Sequence, residues 1–297
     1  MNRRSFLLST AGASAGLLLL PILHPAGGLL ARGVDPSKFT GRETFDRLLK
    51  LAQENEWRKL QMGELVARIG LELRGVPYVG NTLELADDRE FCSVNLLGLD
   101  CVTFFESALG FARMLKKGGS TPEAMMAQVE YTRYRNGRVT DYSSRLHYTS
   151  DWFYNNEEKH VVKVVTRELP GAERFTHTVN FMSTHPNSYR QLKAKPALVP
   201  VITETERIIN ARKMYYIPKE KVAAIEPQLR NGDIIGITTK FDGIDCTHTG
   251  LCYRDSEGVL RFLHASSTKK EVTLGEELSV YLAGVSKHTG IMVARPV

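Results

Sequence analysis

The sequence predicts an α+β fold, with N-terminal helices packed on a mostly antiparallel sheet. Helical periodicity fills the first half of the chain, and four strand-like runs crowd residues 232–297. Helices first and strands last argue for a helical layer on one sheet rather than alternating βαβ units. No spacing repeats along the chain, which sets aside solenoids and propellers.

The 297 residues suffice for one large domain with a substantial core. Hydrophobic content of 42% and charged content of 24% are those of an ordinary globular protein. The formal charge of +6 falls to +3 without Arg3, Arg4 and Arg32, and no basic block carries interleaved aromatics. Nucleic acid is therefore not an expected partner.

Residues 1–33 read as an address. "MNRRSFLLSTAGASAGLLLLPIL" places a paired arginine before a short leucine-rich run, the layout of a twin-arginine export signal. The run is short for a membrane span and is broken by Pro21. The expectation is an exported, periplasmic protein with no stable membrane insertion after export, its remaining domain covering residues 34–297.

Two amphipathic helices are expected across 40–73, with Phe45, Leu48, Leu49 and Ala52 in register. Gly75, Pro77 and Gly80 then break helicity. An extended piece at 91–96 leads into a helix opened by Asp100–Cys101, with an apolar stripe through Phe104, Phe105, Ala108, Leu109, Ala112 and Leu115. Thr121 before Pro122 marks the next helix start. Residues 138–217 are mixed, with a strand at "HVVKVVTREL" and a helix at "TETERIINARK". The closing strands are "GDIIGITTK", "CTHTGLCYR", "GVLRFLHAS" and "HTGIMVARPV", with a helix, "LGEELSVYLAG", before the last.

Four cysteines in an oxidising compartment raise the question of disulfides. Cys246 and Cys252 share one strand and stand about 20 Å apart, too far to bridge. Cys92 with either of them stays open. Cys101 is different. At a helix start, a thiolate is favoured by the helix dipole, and the unpaired backbone N–H groups there can receive an oxyanion. A small apolar residue capping its helix is the alternative.

Strand alternation puts Cys246, His248, Gly250 and Cys252 on one face of "CTHTGLC", and His264 with Leu260 and Phe262 on one face of "VLRFLHAS". Either histidine alone reads as a neutral core residue. Together, behind a cysteine helix, they supply the base and the base-orienting group that a thiol nucleophile requires.

"GVPYVGNTLE", "LDCVTFFE" and "GDIIGITTK…DCTHTGLCY…VLRFLHAS" resemble the papain-like NlpC-type cell-wall cysteine peptidases, in their N-acetylmuramoyl-L-alanine amidase-like branch. The resemblance spans residues 62–297 in outline. It implies a papain-like core with Cys101 as nucleophile, His248 as general base, His264 as the orienting third member and Tyr78 lining the site. It implies peptidoglycan fragments as substrate and no cofactor. Common endopeptidases of the superfamily carry Asp-Cys-Ser-Gly where this chain has "DCVTFFE".

His248 follows Cys101 by 147 positions, leaving room for a large insertion at about 138–217. The resemblance puts part of the substrate pocket there. "SRLHYTSDWFYNN" offers aromatics that can cover sugar faces and an arginine that can grip a carboxylate. Arg145, His147, Tyr148, Asp151 and Trp152 are therefore expected to wall the pocket, with an ordinary strand and turn as the alternative. No metal site is expected, since the spacing of His147 with His160 or His177 matches no common zinc pattern. Asp100 is expected to cap its helix. Within this frame the alternatives are an endopeptidase cutting between D-Glu and the diamino acid, or a non-catalytic muropeptide-binding protein.

Overall fold

The computed structural model describes residues 38–297, so the expected export segment, residues 1–33, lies outside the described residues. All described residues belong to one compact unit, Val34–Val297. A short strand, β1 (Phe39–Thr40), leads into α1 (Arg42–Glu54) and α2 (Met62–Glu72). Strand β2 (Val94–Asn95) pairs in parallel with β1 and delivers the chain to α3 (Cys101–Lys116), then α4 (Pro122–Arg133) and α5 (Thr149–Glu158). Strands β3 (Val162–Val164) and β4 (Glu173–Arg174) precede helices α6 (Phe181–Thr184), α7 (Arg190–Ala194) and α8 (Val199–Asn210). The chain closes with β5 (Tyr215–Pro218), α9 (Lys219–Ile225), β6 (Ile234–Thr239), β7 (Cys246–Arg254), β8 (Leu260–Ser266), β9 (Glu271–Glu277), α10 (Leu278–Ala283) and β10 (His288–Pro296).

The sheet runs β4-β5-β10-β6-β7-β8-β9 and is antiparallel throughout. β3 pairs antiparallel with the end of β10, beyond the part that β5 covers. Strand alternation gives the sheet two apolar faces. Ile234, Leu251, Leu263, Ala265, Met292 and Ala294 face α2 and α3, in a core that α1 and α4 also share. Ile235, Ile237, Cys252, Phe262, Ile291 and Val293 pack against Val222 and Ile225 of α9 and Leu278 and Leu282 of α10. The architecture is α+β, with helices on both faces of one sheet.

α3 is the central helix: thirteen of its sixteen residues, Thr103 to Leu115, are buried. It starts where expected, because Asp100 caps it. The Asp100 carboxylate accepts from Val102 N–H (3.0 Å) and Thr103 N–H (2.7 Å), and the Thr103 hydroxyl accepts from Asp100 N–H at 2.9 Å. That reciprocal pair is a capping box. Thr121 caps α4 with Pro122 in its first turn, again as expected.

The region 138–217 is not appended to the core. It supplies β3 and β5, which complete one edge of the sheet by pairing with β10. Its helices α6 to α8 close over a separate small core of Tyr142, Tyr148, Val179, Met182, Leu192, Ile202 and Ile209. The segment 149–158 forms a helix, not the strand and turn held open from sequence. The expected helix at 274–284 begins only at Leu278, because residues 271–277 are strand β9. Val272 is buried there and Gly275 packs closely on β8, where a Cβ would meet the Phe262 carbonyl oxygen at 3.0 Å.

Candidate active site

The two histidines meet. His248 on β7 and His264 on β8 share the sheet face covered by α10, and His248 Nε2 lies 2.7 Å from His264 Nδ1. Phe262 stacks on the His264 ring at 4.6 Å and meets His248 edge-on at 5.7 Å. Gly250 of β7, two residues before Phe262's strand partner Cys252, permits this, since a Cβ there would strike the Phe262 ring at 2.6 Å. Tyr281 of α10 covers both imidazoles, with ring centroids 6.0 Å from His248 and 5.0 Å from His264. His288, the first residue of β10, stacks behind Tyr281 at 5.7 Å.

The alternation expected along "CTHTGLC" is interrupted. Ile237 pairs with His248 but Thr238 pairs with Cys246, so a bulge at Thr247 takes Cys246 out of step with His248. Cys246 turns to the other face, against Gly236 and the α5 residues Thr149 and Phe153. All four cysteines are free thiols.

Cys101 reaches the site from the opposite layer. Thr249, not His248, faces α3, and its hydroxyl donates to the Cys101 carbonyl at 2.8 Å. The Thr249 side chain and backbone also hydrogen-bond the thiol. The nucleophile candidate is thus held by the residue that follows the base candidate. Among the described residues, no hydrogen bond joins the Cys101 sulfur to either imidazole.

Electrostatics set the resting protonation. Burial, and next the Asp100 carboxylate, push the Cys101 thiol up to about 11, despite the hydrogen bonds from Thr249. The thiolate favoured on helix-start grounds is not the resting form, because desolvation and Asp100 outweigh the half-dipole of one helix. Burial, followed by His264 and His288, lowers His248 to about 3, while burial and Lys269 lower His264 to about 4. The site rests as a neutral thiol beside two neutral imidazoles.

Tyr78 is beside Cys101. Leu99 N–H donates to the Pro77 carbonyl at 3.0 Å and Val79 N–H to the Leu99 carbonyl at 3.1 Å, tying the 77–79 segment to the entry of α3. Burial, then Cys101 and Asp100, raise the Tyr78 phenol, so its hydroxyl remains a proton donor.

The expected pocket wall in the 144–156 segment is placed elsewhere, and for one reason: its polar groups already have partners inside the protein. Arg145 is buried, donating from Nε (2.8 Å) and Nη2 (2.6 Å) to Glu90 and from Nη1 to Glu84 at 3.0 Å. A guanidinium so engaged is not offered to a substrate carboxylate. The His147 ring meets the Tyr142 carbonyl at 2.7 Å, and the Tyr148 hydroxyl donates to Glu206 at 2.7 Å. Asp151 accepts from Arg135 at 2.6 Å and Arg212 at 2.7 Å, and Trp152 Nε1 donates to Glu106 at 3.0 Å. Asp151 and Trp152 thereby tie α5 to its surroundings, while Arg145, His147 and Tyr148 fix the segment that leads into it.

An open cleft of about 410 Å³ lies over the imidazole pair. Its lining includes Thr247, His248, His264, Lys269, Tyr281 and His288. Sequence reasoning missed Thr249, Tyr281, His288 and Lys269. The helical placement of Tyr281 beside its core residues Leu278 and Leu282 was the available signal; for the others the strand pairing itself was needed.

A thiol at a helix start in the layer beside a bonded imidazole pair is the kind of group set that nucleophilic catalysis draws on. Residues 68–291 match the AmiA-like family, described as N-acetylmuramoyl-L-alanine amidase-like, and the chain belongs to that family. An N-acetylmuramoyl-L-alanine amidase from Bacteroides uniformis ATCC 8492 is 34% identical with a TM-score of 0.74, covering 80% of this chain and 100% of its own. A Bacteroides fragilis protein provisionally called a xylanase is also 34% identical, with a TM-score of 0.70 over 78% of this chain and 99% of its own. Protein LPG0564 from Legionella pneumophila shares the fold at 21% identity, with a TM-score of 0.64 over 86% of this chain and 95% of its own. No curated protein matches the chain. The family makes the chain an amidase-like hydrolase of the peptidoglycan-related kind. Among the described residues no helix is long and apolar enough to cross a membrane.

Proposed function

We propose that the chain is a papain-like cysteine amidase that hydrolyses the amide between the muramic acid lactyl group and the first L-Ala of peptidoglycan fragments. The observation that carries this reading is the 2.7 Å contact of His248 Nε2 with His264 Nδ1, one residue from the threonine that holds Cys101. With Nε2–H of His248 donating to His264, its Nδ1 is left unprotonated to act as the base.

The sulfur then bonds to the lactyl carbonyl carbon as Nδ1 of His248 takes the thiol proton. Val102 and Thr103 N–H are occupied by Asp100, so the Cys101 N–H and the Tyr78 hydroxyl are the donors for the oxyanion. His248 returns its proton to the leaving L-Ala nitrogen, and the C–N bond breaks. Water attacks the thioester as His248 accepts its proton, and the C–S bond breaks as His248 returns that proton to the sulfur. His264 acts on His248 alone, holding its tautomer and orientation. The cleft of about 410 Å³ over the imidazole pair offers room for part of a sugar–peptide fragment. The paired arginines at 3 and 4 support export to the periplasm, where such fragments arise.

The test is the mass of the products from a soluble muropeptide. Release of the intact stem peptide supports the amidase. A stem cut between D-Glu and the diamino acid would replace it with the endopeptidase, and unchanged substrate would leave a binding protein.

A further inference from the structure

We propose that Lys269, on the rim of the histidine cleft, anchors a free carboxylate of the substrate's stem peptide. The inference rests on the muramoyl-peptide reading above and names the subsite that orients its peptide. Among the described residues, Lys269 is the only lysine or arginine lining the cleft. It is exposed and makes no ion pair among the described residues. Arginines elsewhere in the protein differ: Arg133 and Arg145 are buried against Glu106 and Glu90, and Arg135 and Arg212 are paired with Asp151. Glu276, the one carboxylate residue on the lining among the described residues, lies seven positions on, toward the far end of β9, which leaves the Lys269 end as the cationic end of the cleft.

The loop carrying Lys269 is fixed on both sides. Lys269 N–H donates to the Ser266 hydroxyl at 3.1 Å, two residues beyond His264. On the other side, Tyr78 N–H donates to the Lys270 carbonyl at 2.8 Å, and Val272 N–H to the Val76 carbonyl at 2.8 Å. Lys270 itself holds a φ of 63°, a conformation kept only where the surroundings enforce it. The loop therefore spans from the orienting histidine to the tyrosine beside the nucleophile. Its ammonium acts on the site already, being the charge that helps lower His264. The Ser267 and Thr268 hydroxyls, also on the lining, add donors for the same carboxylate.

The experiment uses muramoyl peptides in which each stem carboxylate is converted in turn to a carboxamide. Turnover is read with wild type and Lys269→Met, and binding with Cys101→Ala and Cys101→Ala/Lys269→Met. One carboxylate is expected to be preferred by wild type about three- to five-fold, the range of an exposed ion pair. Lys269→Met should erase that preference, chiefly through KM, and the double variant should erase it in binding. A preference that survives Lys269→Met in both measurements overturns the inference and leaves the amidase reading intact. Lys269-dependent binding with no turnover of any peptide by wild type sustains the subsite and sinks the amidase. Neither binding nor turnover removes both.

Discussion

Asp100 holds two offices at one atom. Its carboxylate caps α3 through Val102 and Thr103, and its charge raises the thiol of the next residue. The two are separable by substitution. Asp100→Asn keeps a good cap and removes the charge, so the Cys101 pKa should fall below its resting value of about 11. Iodoacetamide alkylation, followed against pH in a background lacking the other three cysteines, should show its midpoint moving to lower pH. Asp100→Ala should make the same move and also cost about 1 kcal/mol of stability. A midpoint unmoved in Asp100→Asn would mean burial alone sets the thiol.

Helix α5 shows what was and was not legible at the level of an element. Helices α1, α2, α3 and α4 begin and end close to where periodicity and caps put them, since their signals are local: Asp100, Thr121 and Pro122 act within one turn. The His248–His264 pairing was also legible, because a period of two fixes faces once strands are adjacent. The segment around Arg145 was not. Its charges and aromatics look the same whether they face solvent or distant partners, and Glu84, Glu90, Glu106 and Arg212 lie 46 to 61 positions from the residues they bind. The Thr247 bulge, which turns Cys246 over, likewise has no mark in "DCTHTG". The consequence for Arg145 is testable. Arg145→Ala leaves Glu90 buried beside Tyr134 and Gln191 without its cation, a loss of about 3–5 kcal/mol. Denaturant unfolding should show it, with KM nearly unchanged under conditions where the variant stays folded. A raised KM at undiminished stability would return Arg145 to the substrate.

Across the whole molecule, buried neutral histidines tie stability to pH. His147, His248 and His264 are lowered to about 3, about 3 and about 4, all mainly by burial. Between those values and the ordinary 6.5, the unfolded chain binds protons that the folded one refuses, so stability rises with pH across that window and is lost as pH falls through it. The upper part of the window, pH 6.5 to 5, precedes most carboxylate titration. The urea midpoint should therefore drop between pH 7 and pH 5; a constant midpoint would show these rings are charged in the folded protein. Catalysis should behave oppositely, with kcat/KM holding below pH 6, because the imidazole pair stays neutral.

The most direct measurement is the turnover of one soluble muropeptide by wild type and by Cys101→Ala, with both proteins shown to be folded by their urea transitions. A small side chain at the start of α3 leaves the Asp100 cap untouched, so the two transitions should nearly coincide. Wild type is expected to release the intact stem peptide, at a rate that survives EDTA, and Cys101→Ala to release none above background. Stem release by folded Cys101→Ala at more than a few per cent of the wild-type rate would contradict the nucleophile and the mechanism built on it.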